Sequence, residues 1–318
     1  MDLHTSSAEY SSNAHMSDVV AAKVVYSIII PTYRRIQDLC KCLDLLAPYF
    51  APMDHQYDGL SIEVVVSDDA RENELRVLLN ERYPWCRYVE GPARGPAANR
   101  NHGARESHGE WIVFTDDDCL PQPGWIGAFA TFADQCDVME GKTSPEGQRS
   151  RLDEECPSNE NGGFLWSCNF AIRREAFFFL NGFNEDFPAP AMEDVEFRKR
   201  LEKSNFRLKF VSTAQVKHPW RRRKGFSFLR AKSKSIAIYV RLHPETIADF
   251  SLRGQIVRLL VSLRLNIKYI KGNIIFSGLF RQILLDIYSS VSAWHAVRRV
   301  RLAMVDEDCV IQETLSVD

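Results

Sequence analysis

The chain has 318 residues, of which 45% are hydrophobic and 26% charged, and a formal net charge of −2. This composition excludes a disordered or fibrous protein and is enough to bury a sizeable core. No stretch of about 18 uncharged apolar residues occurs, which argues against a membrane-spanning helix. Residues 1–23 are polar and carry no apolar segment of signal-peptide type. They read as a disordered leader, within which Met16 is an alternative start.

Val24–Ile30 is a β-branched run closed by Pro31, the pattern of a buried strand that stops at a loop. Helical spacing follows over 35–50, through Ile36, Leu39, Cys40, Leu43 and Leu46. Ile62–Val66 predicts a second buried strand that ends in Ser67-Asp68-Asp69. A helix over 72–82 and a short strand over 87–90 come next, then a loop over 91–96 and a helix from about Ala97 to Ser107. Trp111–Thr115 is a further strand, and Asp116-Asp117-Asp118 follows it directly. Strands alternating with helices imply right-handed βαβ units and a doubly wound, mostly parallel sheet. Ligands bind such sheets beyond the carboxyl ends of the strands. Three of these ends carry Pro31-Thr32-Tyr33-Arg34, Asp68-Asp69 and Asp116-Asp117-Asp118.

Beyond Pro121 the alternation fades. Residues 140–165 read as a loop, 166–172 as a strand, Gly182-Phe183-Asn184 as a turn, 195–203 as a helix and 210–216 as a strand. From Phe226 onward the pattern is helical, basic and apolar. Between Lys217 and Arg301 there are 18 Lys/Arg against three Asp/Glu, a balance of +15; the remainder holds 22 against 39, a balance of −17. An acidic body with a basic extension meets two kinds of partner. The eight cysteines are scattered with no CxxC pair, which suits reduced thiols and a cytoplasmic setting.

Three adjacent carboxylates repel one another unless a cation balances them. At a ligand edge a hard divalent ion on phosphate oxygens would do so; elsewhere the same triplet is a solvated turn. Glu193-Asp194 opens a helix and reads equally as a capping pair or as a general base. Gly95 through Asn101 puts small residues at a helix start with Arg100 one turn in, a weak phosphate-loop pattern. His218, ahead of Pro219, is either structural or a partner of the acid cluster in a metal shell.

Taken together and in this order, these motifs resemble glycosyltransferase family 2, the inverting group with the GT-A fold, from about Val24 to His218. Ile29 to Arg35 is similar to the family's opening strand and loop, which face the donor nucleotide. Val65 to Asp69 is similar to the second strand, although Ala70-Arg71 stands where Gly-Ser is usual. Asn99 to Gly103, Phe114 to Asp118, Cys168 to Arg174, Gly182 to Glu185 and Met192 to Asp194 resemble the later motifs. The resemblance implies a donor site of Pro31, Thr32, Tyr33, Arg34, Asp68, Asp69, Arg100, Asp116 and Asp117, with Thr32 and an acid of the 68–69 pair on the base and ribose. It implies a manganese or magnesium ion on Asp118, Asp116 and His218. It makes Asp194 the catalytic base, with Glu193 toward the acceptor. The donor would be a nucleoside-diphosphate sugar, a UDP-sugar foremost, and the acceptor a glycan or lipid-linked hydroxyl in polysaccharide, glycolipid or cell-surface glycan synthesis. A nucleotidyltransferase or a non-catalytic glycan-binding relative are the alternatives; sugar-nucleotide turnover separates them.

The expected organisation is a leader (1–23), a GT-A domain (24–220) and a basic amphipathic helical extension (221–318). On a helical wheel Arg253, Arg264, Lys268 and Lys271 share one arc, and Ile256, Leu259, Leu260, Leu263, Ile267 and Ile270 another. Such a helix either lies in an anionic membrane interface, on the inner face of the cytoplasmic membrane, or docks its apolar arc on the acidic body. No motif that reads RNA or DNA accompanies the charge, so nucleic acid is not an expected partner.

Overall fold

A computed structural model describes residues 26–50, 60–273 and 276–315; the side chains of 271–273 and 305–315 are not described. The expected leader therefore lies outside the described residues, as do Val24 and the side chain of Lys271.

The first half builds as its alternation dictates. β1 (Tyr26–Thr32), α1 (Ile36–Leu46), β2 (Ile62–Asp68), α2 (Asn73–Arg82), β3 (Cys86–Glu90), α3 (Pro96–Glu106) and β4 (Trp111–Thr115) give four parallel strands in the order β3-β2-β1-β4. β1 is buried along its whole length. Ile28 and Ile30 enter one apolar layer with Leu39, Leu43 and Val64, and Ile29 enters the other with Val65, Phe114 and Phe170. This period-2 sorting is why a continuous apolar run makes a central strand. α3 lies close against β1 because Gly103 has no side chain; a Cβ there would stand 2.6 Å from Ile29 Cγ2. The helix expected through residue 50 instead ends at Leu46 and tightens into a 3₁₀ turn at 47–50, where Pro48 cannot continue the hydrogen-bond ladder.

The second half completes a mixed sheet. After β5 (Leu120–Pro121) and α4 (Trp125–Ala130) come β6 (Val138–Glu146), β7 (Glu154–Glu155), β8 (Asn169–Arg173), α5 (Arg174–Phe179), α6 (Glu193–Glu202), β9 (Leu208–Pro219) and β10 (Arg221–Arg222). The eight-stranded order is β3-β2-β1-β4-β8-β6-β9-β5, with β8 antiparallel to both neighbours. Residues 140–165 are thus not a loop throughout. β6 pairs β8 and β9 despite Gly141 and Pro145, and its pairing with β9 shifts register between Gly141 and Lys142. Its strand state comes from tertiary pairing that local propensity does not reveal. β8 likewise begins at Asn169, three residues later than expected.

The C-terminal segment forms α7 (Phe226–Leu242), a 3₁₀ segment (Pro244–Phe250), α8 (Leu252–Asn273) and α9 (Leu279–Leu315). Ile236, Val240, Val297 and Val300 share a third apolar cluster with Phe187 of the body. α8 sorts its side chains in the reverse sense. Gln255 and Asn266 are buried, whereas Leu260 is 61% exposed and Ile256, Leu263 and Ile267 are exposed with it. α9 adds Phe280, Leu284, Ile287 and Val291 to this exposed set. The apolar arc of α8 does not dock on the body, and Arg253, Arg264 and Lys268 of the basic arc are exposed as well; the face turned inward is a third one that carries Gln255 and Asn266.

Candidate active site

In parallel register Ile29 of β1 faces Phe114 of β4, and three residues further both strands reach the ligand edge. There Thr32 Oγ1 donates to Asp117 Oδ2 at 2.8 Å. Arg35, in the loop after β1, donates to Asp117 Oδ1 at 2.8 Å and to Asp118 Oδ2 at 3.2 Å. Burial pushes the Asp117 carboxyl up to about 6 against the pull of Arg35 and Thr32.

Asp118 is 4% exposed, and its Oδ1 is buried without a hydrogen-bond donor. His218, near the end of β9, faces it with Nε2 at 3.5 Å, while Nδ1 sits 2.9 Å from the Pro219 carbonyl. Donation of the Nδ1 proton to that carbonyl leaves the Nε2 lone pair pointing at Asp118. Burial holds the imidazole below its usual range, so it is neutral. Two acceptors therefore face each other with no proton between them, an arrangement that is costly until a cation fills it. Cys119 Sγ lies in the same cluster but donates to the Cys168 carbonyl at 3.8 Å. The residues present thus suit a hard divalent ion held by one carboxylate and one imidazole.

Asp116 is not part of that group. Arg100 Nη2 binds its Oδ1 at 2.6 Å, and Arg100 Nη1 lies 3.4 Å from Glu193 Oε1. Burial disfavours the Arg100 charge, but the Asp116 carboxylate outweighs it and keeps the guanidinium protonated. The same pairing keeps Asp116 ionised below its ordinary range despite burial. Arg100 is therefore a buried clamp between two acidic motifs. Its neighbours act alike. Asn99 Nδ2 donates to the Ser67 carbonyl at 2.8 Å, and Asn101 Nδ2 donates to the Phe183 carbonyl at 2.8 Å and to Glu185 at 2.9 Å. Three successive residues of α3 thus position the β2 end, the triple aspartate with Glu193, and the Gly182–Glu185 turn.

The remaining sequence-derived residues divide. Asp68 accepts from the Ala70 and Glu72 amides, and Asp69 from those of Ala93 and Gly95, all at 2.7–2.9 Å. Both carboxylates organise the loops at the carboxyl edge of the sheet. Pro31 is buried, Tyr33 is 56% exposed, and Arg34 takes a left-handed φ of 55° beside it. A non-glycine residue held there stores backbone strain of the kind found at ligand sites.

Glu193 and Asp194 open α6 behind Met192, itself left-handed at φ 81°. Glu193 is 4% exposed, and its Oε2 has no donor. Burial and the neighbouring Asp194 push its carboxyl up to about 8. Asp194 is the more accessible of the two; burial raises its carboxyl also, and Oδ1 accepts the Val195 amide at 2.8 Å.

Two site residues were given no role of their own by the sequence. Arg35 only closed the Ile29–Arg35 segment likened to a donor-facing loop. Arg221 passed as one of a basic run, yet its guanidinium contacts Asp118 and lies 3.7 Å from Asp38. The rest of the run is equally committed: Arg222 lies 3.3 Å from Asp153, and Arg223 lies 2.5 Å from Asp286 of α9. Arg221-Arg222-Arg223 is a fastener joining site, body and extension.

A mixed α/β sheet with clustered carboxylates at the carboxyl ends of its parallel strands defines a protein of GT-A-like fold. Residues 27–178 match the model for glycosyl transferase family 2, and residues 155–221 match one described as the N-terminal domain of galactosyltransferase. The match to glycosyltransferase family 2 takes in the first half of the sheet and just under half of the chain. A glycosyltransferase of Haemophilus influenzae described as uncharacterized is 32% identical over 92 residues, 29% of this chain and 29% of its own length. Glycosyltransferase AglE of Haloferax volcanii is 29% identical over 104 residues, 31% of this chain and 32% of that protein. These matches span less than a third of either relative. Mannosyltransferase PcManGT of Pyrobaculum calidifontis, solved with GDP-Man and Mn²⁺, superposes with a TM-score of 0.50 at 16% identity, over 92% of this chain and 79% of that one. That likeness concerns the fold.

Proposed function

We propose that the protein transfers a sugar from a nucleoside-diphosphate sugar to an acceptor hydroxyl, with inversion at the anomeric carbon. The observation that carries this reading is the donor-less Asp118 Oδ1 facing the neutral His218 Nε2 at the strand edge. A divalent cation, manganese or magnesium, supplies there the positive charge that a diphosphate leaving group needs. Thr32 and the loops tied by Asp68 and Asp69 shape the nucleotide end. Arg35 and Arg221, both already lying on the acid cluster, offer guanidinium groups to the diphosphate. Asp194 takes the acceptor proton as the hydroxyl oxygen attacks the anomeric carbon. The bond from that carbon to the diphosphate breaks in the same step and the nucleoside diphosphate departs. Arg100 holds Asp116 and Glu193 in place on either side of it. One displacement passes through no covalent sugar–enzyme species, so configuration inverts.

Peripheral membrane contact belongs to the same reading. α8 carries no Asp or Glu between Leu252 and Asn273, and it sets Arg253, Arg264 and Lys268 near its exposed leucines and isoleucines. No described helix is long and apolar enough to cross a membrane. A helix that hides amides and shows aliphatic side chains beside cations suits the interface of an anionic bilayer, where acceptors attached to lipid reside.

The test is a donor panel, UDP-sugars first, with manganese and a glycan acceptor. Release of nucleoside diphosphate and a product whose anomeric proton coupling is opposite to the donor's are expected. Turnover of no donor, or a retained configuration, contradicts the proposal.

A further inference from the structure

The loop ahead of β8 builds a second feature beside α6. Glu140 of β6 is 2% exposed, and its carboxylate accepts the backbone amides of Gly163 (2.8 Å), Phe164 (2.6 Å) and Leu165, together with Asn159 Nδ2 (2.8 Å). Gly162, Gly163 and Leu165 all take positive φ to turn those amides toward one carboxylate. Four charge-assisted hydrogen bonds at a buried anion make a rigid support. What they support is aromatic. Phe164 and Trp166 stack at 5.2 Å between centroids and 10° between planes, and the Trp166 indole donates to the Ser158 carbonyl at 3.1 Å. Phe164 nevertheless remains 48% exposed. An exposed phenylalanine fixed in place by a buried carboxylate serves no purpose in the core, where its apolar area would be removed from water.

The pair forms one wall of a cleft of about 240 Å³ whose opposite wall is α6, the helix that begins with Glu193-Asp194. Val195 lines the cleft next to Asp194, and Arg198, Lys199 and Glu202 line it one and two turns further along. Arg198 Nε and Glu202 Oε1 lie 2.8 Å apart, so donor and acceptor groups stand together across from the rings. A flat apolar face opposite paired polar groups matches a pyranose, whose axial C–H bonds make one face apolar while its hydroxyls project around the edge.

We propose that this cleft is a subsite for a sugar of the acceptor, one that stacks on Phe164 and hydrogen-bonds to Arg198 and Glu202. The acceptor chain then runs along α6 with its reacting hydroxyl at Asp194. This rests on the transferase reading for its role but not for its chemistry: the cleft selects a saccharide acceptor of more than one residue over a bare lipid alcohol.

The experiment is saturation-transfer NMR and isothermal titration with maltotetraose, cellotetraose, mannotetraose and chitotetraose, without any donor. At least one binds the wild type, with the strongest transfer to the C–H protons of one ring and quenching of tryptophan fluorescence. Phe164→Ala weakens that binding at least tenfold, Phe164→Trp restores it, and both variants melt within a few degrees of wild type because the side chain is half exposed. Binding of none of the four, or equal binding by Phe164→Ala, overturns the proposal. Phe164-dependent binding in a protein that turns over no donor would sink the transferase reading and leave the subsite standing.

Discussion

The α/β body and the part of the α8–α9 hairpin formed by α8 and the start of α9 sort the same kinds of side chain in opposite directions. The later turns of α9 bury Val297 and Val300 as the body does. In the body, strands such as β1 and β4 bury aliphatic and aromatic residues on both faces, and polar groups collect at the strand ends. In the hairpin, Gln255, Asn266 and Gln282 turn inward, while Leu260 and Phe280 turn outward. A body of that kind gains its stability from water. A hairpin of the second kind leaves apolar area exposed until something covers it, at on the order of 1.5–3 kcal/mol for each large side chain. The difference teaches that the body is complete as a solvated unit and that the hairpin is built for contact. Between them stands Asp153, fully buried, with Arg151, Arg222 and Arg281 on its carboxylate at 2.8–3.3 Å.

The comparison can be broken at several places. On the body side, Asp118→Ala should lower turnover on the order of a thousandfold, since several kcal/mol of leaving-group stabilisation are lost. Asp194→Asn should lower kcat about 10²–10⁴-fold with little change in donor affinity, the signature of a missing base. Steady-state kinetics with saturating manganese check both; wild-type rates in either variant would dissolve the assigned site.

At the junction, Asp153→Ala removes the buried carboxylate that three partly exposed guanidinium groups share. Thermal melts should show a loss of about 1.5–3 kcal/mol. A melt unchanged from wild type would mean that extension and body are not fastened there.

On the hairpin side, the paired change Ile256→Glu and Leu260→Glu should cut sedimentation with phosphatidylserine vesicles at least tenfold and leave turnover of a soluble acceptor near wild type. Unaltered sedimentation would assign the exposed face to another partner.

The smallest effect concerns pH. Glu193 has a folded-state value of about 8 against an ordinary 4.5, so its neutral form is favoured in the fold. Its contribution to stability is full below about 4.5 and is lost as pH rises through about 8. Wild-type Tm should therefore fall across that window and the decline should be shallower in Glu193→Gln; parallel curves would show that Glu193 is not held neutral.

Much of the body was legible in sequence because its logic is local. A β-branched run closed by Pro31, or one closed by Asp116, signals both the strand and the edge that it reaches. β6 was missed because Gly141 and Pro145 deny it a propensity signal, and only pairing with β8 and β9 makes it a strand. Arg100 was visible as a charged residue near a helix start, but a phosphate and a buried carboxylate attract a guanidinium alike, and sequence does not say which is nearer. The wheel of α8 grouped basic and apolar residues into two arcs, and neither is the face that meets the protein. That face is set by Ser262, Asp286 and Gln282 meeting across the hairpin, a long-range fact with no local trace.

The most direct measurement is the electron paramagnetic resonance signal of manganese titrated with the protein and UDP, read for wild type, Asp118→Ala and His218→Ala. The account predicts that wild type quenches the free-ion signal, that Asp118→Ala abolishes the quenching, and that His218→Ala weakens it about 10–100-fold. Equal quenching by all three proteins would contradict the placement of the metal between Asp118 and His218, and with it the site on which the proposed transfer depends.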